Sequence, residues 1–236
     1  MIRKIKISVI GTGLMGLQHI KAINKSKKAS LHSIVDINKE ALFLSKKFNI
    51  PIFKNCKELL NKNKPDAVIV ATPTQLHKIH TINCLKSKIP VLLEKPISDN
   101  LASAKKIVDS SKTYKTPLLI GYHRRHNSIV TKVKQEIESG KLGKVVSANI
   151  MCWLYKHKEY FNEKWRIKKG GGPLGINLVH DIDLICYFLG PIKFVQAFTS
   201  NSVRKFKVED TATINLVLKS GALCTLNISD TIVAPW

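Results

Sequence analysis

The chain has 236 residues, 44% of them hydrophobic, and carries 39 Lys and Arg against 16 Asp and Glu, for a formal charge of +23. That length holds one large domain or two smaller ones with substantial cores, and no apolar run approaches the roughly 18–20 residues of a membrane span. The charge comes from 34 Lys and only 5 Arg, scattered without a run of five. This excludes the Arg forks and aromatic platforms of a specific nucleic-acid reader and points to a solvated basic surface with weak attraction for anionic substrates.

In chain order, the first apolar run, 7–10, is too short for a signal peptide and leads straight into a glycine-rich turn, so residues 5–10 are expected to form a strand. The turn is Gly11-Thr12-Gly13-Leu14-Met15-Gly16, opening a helical pattern over 14–25. Glycines placed between a strand and a helix let the backbone approach a pyrophosphate, and the helix N-terminus supplies N–H donors and a positive dipole. A second strand, 31–37, ends near Asp36, twenty residues beyond the turn, where an acid accepts from an adenosine ribose hydroxyl and repels a 2′-phosphate. NAD is therefore expected over NADP; Lys39 nearby softens the preference.

Helices over 39–48 and 56–61 lead to a strand at 67–71, which ends in Ala71-Thr72-Pro73-Thr74-Gln75-Leu76-His77 before a helix over 75–87. A strand at 91–93 ends in Glu94-Lys95-Pro96; a helix over 100–114 and a strand at 118–120 follow. Near-continuously apolar strands alternating with helices predict an α/β Rossmann domain with a doubly wound parallel sheet, over residues 1–125. Strand C-termini in such a sheet face the ligand crevice, so Thr72, Glu94 and Lys95 should look at the cofactor. Beside a positive nicotinamide ring the Lys95 ammonium would be destabilised, moving its pKa toward a useful range. Position alone leaves Lys95 open between that role and a surface turn.

Past Gly140-Lys141-Leu142-Gly143 the pattern changes. Long strands are expected at 145–155, 194–200, 211–218 and 222–232, interrupted by one helix over 174–189. This is a C-terminal α+β domain, 126–236, with an open and mostly antiparallel sheet. The cysteines at 56, 84, 152, 186 and 224 are odd in number and include no C-x-x-C pair. That argues against a disulfide framework and a zinc site, so no metal is expected and reduced thiols in the cytoplasm are the default.

Together the glycine turn with His19, the Ala-Thr-Pro-Thr-x-x-His motif at 71–77, Glu94-Lys95-Pro96, Gly121-Tyr122-His123-Arg124-Arg125, and Gly170-Gly171-Gly172 through His180 and Asp183 resemble the Gfo/Idh/MocA oxidoreductases. The resemblance runs from residue 2 to Pro235-Trp236. It implies NAD held by Gly11, Gly13, Leu14, Met15, Gly16, Asp36, Thr72, Pro73, His77, Glu94 and Lys95. It also implies hydride transfer at a hydroxyl carbon of a sugar, inositol or related polyol, with Lys95 and His180 catalytic.

In the family the histidine works with an aspartate one helical turn earlier. Here that position is Ile176, which leaves a Lys95/His180 pair, with Asn177 able to hydrogen-bond a substrate but not to carry charge. Tyr122, Arg124, Trp153, Tyr155, Trp165 and Arg166 are candidates to line a polyol pocket, against the alternative that they are core. Asp183 is expected either to orient His180 or to cap a substrate hydroxyl. The resemblance further implies homo-oligomerisation through the C-terminal sheet. Relatives run roughly a hundred residues longer, so the second domain is expected to lack its last strands. The competing reading is a truncated relic or a dinucleotide-binding sensor without turnover.

Overall fold

The computed structural model describes residues 3–234; Ile2, Pro235 and Trp236, at the limits of the resemblance, lie outside them. The chain separates into two compact units, Met1–Gly121 and Tyr122–Trp236. Among the described residues no helix is long and apolar enough to cross a membrane.

The first unit alternates β1 (Ile5–Ile10), α1 (Leu14–Lys25), β2 (Ala29–Val35), α2 (Lys39–Phe48), β3 (Ile52–Phe53), α3 (Cys56–Lys62), β4 (Ala67–Val70), α4 (His77–Lys86), β5 (Val91–Leu93), α5 (Leu101–Thr113) and β6 (Leu118–Ile120). All five strand pairings are parallel, in the order β3-β2-β1-β4-β5-β6. Successive strand residues point to opposite faces, so Val9, Ile34 and Ile69 pack with Ile20, Ile23 and Ala41 of α1 and α2. Their neighbours Ile10, Val35, Val68 and Val70 pack on the other face with Leu59, Leu85 and Ile107 of α3, α4 and α5. Burial on both faces explains why these strands read as continuous apolar runs. Asn55 and Asn100 begin α3 and α5 by accepting from the N–H groups of Glu58 and Ser103, at 3.0 and 2.8 Å. The order of the sheet reverses between β1 and β4, so Gly11 and Ala71 flank the point where ligands bind such sheets.

The second unit contains α6 (Ser128–Glu138), β7 (Ser147–Trp153), a π-helical turn Leu174–Leu178, α7 (Val179–Leu189), β8 (Ile192–Ser200), β9 (Thr211–Leu218) and β10 (Leu223–Ser229). The sheet order is β7-β10-β9-β8, with β8–β9 and β9–β10 antiparallel and β7–β10 parallel. One face, from Ala212, Ile214, Leu216, Leu218, Leu226 and Ile228, packs on Leu178 and Ile185. β8 forms an edge and leaves Phe194 and Phe198 58% and 67% exposed. The helix expected over 174–189 is thus two pieces, the wider turn first and a regular helix after it. The helix α6 was not anticipated.

Candidate functional site

In the first unit, β1 delivers Gly11 with φ at +91°, a backbone conformation that side-chain-bearing residues rarely adopt. A Cβ on Gly11 would lie 2.7 Å from the Ala71 carbonyl oxygen, and one on Gly16 would lie 2.0 Å from that of Gly11. The two glycines therefore let strand, turn and helix close on one another. Gly13 is different: a Cβ there would meet nothing within 4 Å. It caps α1 without any side-chain hydrogen bond, and the first turn of the helix holds no acid. The first N–H groups of α1, at Leu14, Met15 and Gly16, have no partner inside the helix, and an anion beside the open Gly13 can satisfy them.

Asp36 stands beside this turn. Its Oδ2 accepts from the Thr12 amide and the Thr12 hydroxyl, each at 2.7 Å, and its Oδ1 accepts from the Asn38 amide at 2.9 Å. Burial alone would raise the carboxyl pKa, but the Thr12 hydroxyl and the amides of Asn38, Thr12 and Ile37 outweigh it and hold it below the usual carboxylate range. The group is ionised at neutral pH. These donors hold the carboxylate in place, and its full charge still attracts a further donor such as a ribose hydroxyl.

Across the sheet, the Thr72 hydroxyl is buried with no hydrogen-bond partner among the described residues. His77 is 1% exposed, and its Nε2 and Nδ1 lie 2.9 and 3.0 Å from the carbonyl oxygens of Thr72 and Pro96. It lies between the loops after β4 and β5, within hydrogen-bond reach of a carbonyl oxygen in each. Glu94, also buried, receives His19 Nε2 at 2.7 Å and the Lys95 amide at 3.2 Å. Burial raises the Glu94 pKa, but the His19 hydrogen bond and charge, with the Lys95 amide and ammonium, leave it net lowered. A Cβ on Gly121 would sit 3.2 Å from Glu94 Oε1, so the glycine after β6 makes room for this pair. Lys95 is half-buried at the end of β5. The uncapped turn, the unpartnered Thr72 hydroxyl and the ionised Asp36 fit a dinucleotide.

In the second unit, His180 is 7% exposed in the first turn of α7. The edge of its ring meets His123 at 4.9 Å and Tyr122 at 6.4 Å between centroids. Two ion pairs brace this packing. Arg124 donates to Asp181 at 2.5 Å, and Arg125 donates to both oxygens of Asp183 at 2.8 and 2.5 Å. The Arg125 guanidinium also lies over the Tyr187 ring at 4.9 Å. Arg124, a candidate to line the pocket, and Asp183, expected either to orient His180 or to cap a substrate hydroxyl, both take part in fastening residues 123–126 onto α7. Burial, then the Asp183 charge, push the Tyr122 phenol above its ordinary pKa, so it stays a neutral donor.

The other candidates are also braced. Trp153 donates its indole N–H to Asn227 at 2.6 Å. Arg166 donates to the Tyr160 carbonyl at 2.6 Å and lies 3.9 Å over the Tyr160 ring, with its Nε–H buried and unpartnered among the described residues. Trp165 remains exposed beside Arg166, whose guanidinium is 5.4 Å from its ring. Tyr155 packs against His157. Ile176 and Asn177 lie in the π-helical turn, a form that recurs at functional sites because it displaces side chains from regular helical positions.

Residues 5–122 match the family described as an oxidoreductase family with an NAD-binding Rossmann fold, and residues 130–235 match its C-terminal domain. The chain belongs to the Gfo/Idh/MocA oxidoreductase family. This Gfo/Idh/MocA chain is 30% identical over 234 residues to a myo-inositol 2-dehydrogenase from Thermotoga maritima, covering 95% of itself and 68% of that relative. It is 30% identical over 204 residues to a glucose-6-phosphate 3-dehydrogenase from Bacillus subtilis, covering 84% of itself and 56% of the relative. The chain thus spans little more than half of that second enzyme. Among solved structures it resembles the WlbA dehydrogenase from Bordetella pertussis, in complex with NADH and UDP-GlcNAcA. The TM-score is 0.93 at 27% identity, over 99% of this chain and 72% of that one. The N-terminal unit is accordingly an NAD-binding Rossmann domain of an oxidoreductase.

Proposed function

We propose that this protein is an NAD-dependent dehydrogenase that oxidises or reduces one hydroxyl carbon of a sugar, an inositol or a related polyol. The observation that carries the reading is the uncapped α1 turn beside an ionised Asp36, in a chain whose family includes inositol and sugar-phosphate dehydrogenases. NAD, when bound, supplies the hydride-accepting ring. The N–H groups of Leu14, Met15 and Gly16 hold its pyrophosphate, and the Asp36 carboxylate accepts from its adenosine ribose, which disfavours NADP. The Thr72 hydroxyl and the loops fastened by His77 form the wall beyond.

For the substrate, the Lys95 ammonium binds the reacting oxygen and lowers its proton affinity, and His180 takes or returns the proton. Tyr122 keeps the phenolic proton it needs to hydrogen-bond a hydroxyl, and Asn177 offers a neutral amide. Since Ile176 bears no carboxylate, the proton leaves through the imidazole alone. Trp165 and Arg166 contribute an apolar face and a charge. Residence in the cytoplasm, with unbridged cysteines, and self-assembly through the C-terminal sheet, where Phe194 and Phe198 are bare, complete the reading.

The test is purified protein with NAD, following the absorbance of the reduced cofactor over a panel of polyols, inositols and sugar acids. We expect turnover on at least one, abolished in Lys95→Ala. His180→Ala should depress kcat about a hundredfold or more with little change in KM, because a proton-transfer group acts on the barrier. Tight NAD binding with no turnover anywhere on the panel would identify a sensor or an inactive relic instead.

A further inference from the structure

The second unit holds a cavity of about 340 Å³ that the chemistry above does not use. Its lining includes Lys169, Lys207, Thr199, Ser200, Asn201 and Glu209. Neither lysine ammonium makes an ion pair or a hydrogen bond among the described residues, and the Thr199 hydroxyl is equally uncommitted. The acids nearby are already engaged. Glu209 accepts from the Leu174 amide at 3.1 Å, and Asp210 accepts from the amides of Val203 and Arg204 at 3.0 and 2.9 Å. Asp230 accepts from Arg204 at 2.6 Å. Two cations therefore face the cavity against a single carboxylate that is turned to a backbone N–H. Two ammonium groups against one carboxylate leave a net positive charge, which favours an anion over a cation.

The position matters as much as the charge. Register runs from Ser200 to Thr211, from Thr211 to Ser229 and from Ser229 to Trp153, so the cavity lies at the sheet end that carries Trp153. Its other wall, at Lys169 and Gly170, leads through Gly172 into the segment that bears His180. Gly172 is pressed so close to Glu209 that a Cβ would lie 2.1 Å from the carboxylate.

We propose that this cavity receives an anionic substituent of the substrate, a phosphate or a carboxylate, so that the preferred substrate is a charged sugar derivative rather than a neutral polyol. The inference rests on the dehydrogenase reading for its substrate but not for its site. Lys169 and Lys207 grip the anion from two sides and Thr199 donates a hydroxyl, while the volume accommodates a sugar ring beside it.

Two arms test it. In the first, inorganic phosphate and, in parallel, acetate are titrated into NAD-saturated protein at constant ionic strength, with binding followed by calorimetry; the bound NAD keeps either anion from the α1 N-terminus. Saturable binding of one anion should weaken about tenfold or more when Lys169→Gln and Lys207→Gln are combined, the loss of charge-assisted contacts. No saturable binding of either anion, or binding unchanged in the double variant, overturns the site. In the second arm, turnover is compared for glucose 6-phosphate, glucuronate and glucose. A charged sugar should be preferred, the better of the two naming the anion, and the preference should narrow about tenfold in the double variant. Equal turnover of all three overturns the substrate class. Lysine-dependent anion binding with no turnover of these sugars or of any compound in the polyol, inositol and sugar-acid panel upholds the site and rejects the dehydrogenase reading.

Discussion

Asp36 shows how a single residue carries two duties. Its carboxylate closes the glycine turn through Thr12 and the start of α2 through Asn38, and the same charge discriminates between cofactors. Replacing it with Asn keeps the shape and removes the charge. Asp36→Asn should cost about 1.5–3 kcal/mol of NAD affinity, the range for hydrogen bonds to charged groups, and should narrow the advantage over NADP. Calorimetric titration with both cofactors checks this, and unchanged affinity for both would remove Asp36 from the ribose site. The pH dependence has a definite sign. The folded pKa values of Asp36 and Glu94 are lowered, so their contribution is full above the ordinary carboxylate range and is lost as pH falls through the lower folded values. NAD affinity and the thermal midpoint should hold steady near neutrality and drop only below about pH 4. Asp230, whose pKa burial raises, pulls weakly the other way.

At the scale of elements, β1, the turn and α1 work as one piece because Gly16 lies against Gly11. Gly16→Ala would press a methyl into a backbone carbonyl, which cannot rotate away. It should destabilise the N-terminal unit by about 1–3 kcal/mol and weaken NAD binding, whereas Gly13→Ala meets open space and should perturb folding little. Chemical denaturation and cofactor titration of the two variants separate these outcomes. This piece was legible in the sequence because its signals are local: glycines at fixed offsets, a buried strand before them, an acid at the end of the next strand. β3 was not, since two residues after a proline become a strand only by pairing with Ile34 and Val35. The signal for α6 is local as well. Asn127 caps it, and Ile129, Val133 and Ile137 recur every fourth residue. The bracing of the site was hidden for another reason. His19 and Glu94 are 75 residues apart, and Arg125 and Asp183 are 58 apart, so only the folded chain brings them together. The sequence displays the chemistry of Arg124 and Asp183 without their ion-pair partners.

The whole molecule has two separate sets of cores. Those flanking the Rossmann sheet are built from residues before Gly121, and that of the second sheet from residues after it. A cavity made in one should therefore weaken that unit first. Leu226, 1% exposed in β10, is a suitable probe. Leu226→Ala should lower the stability of the C-terminal unit by about 2–5 kcal/mol while NAD affinity stays within twofold of the parent. Calorimetric unfolding with and without NAD checks this, and a parallel loss of NAD affinity would show that the two units fold as one.

His77 carries a consequence of another kind. Its two ring nitrogens both face carbonyl oxygens, yet burial lowers its pKa further than those carbonyls raise it, so the ring is neutral and has one proton to offer. At any instant either the Thr72 loop or the Pro96 loop is tethered and the other faces a lone pair. The imidazole is a shared latch with two seats and one key, and the tautomer it adopts decides which rim of the cofactor crevice receives its hydrogen bond.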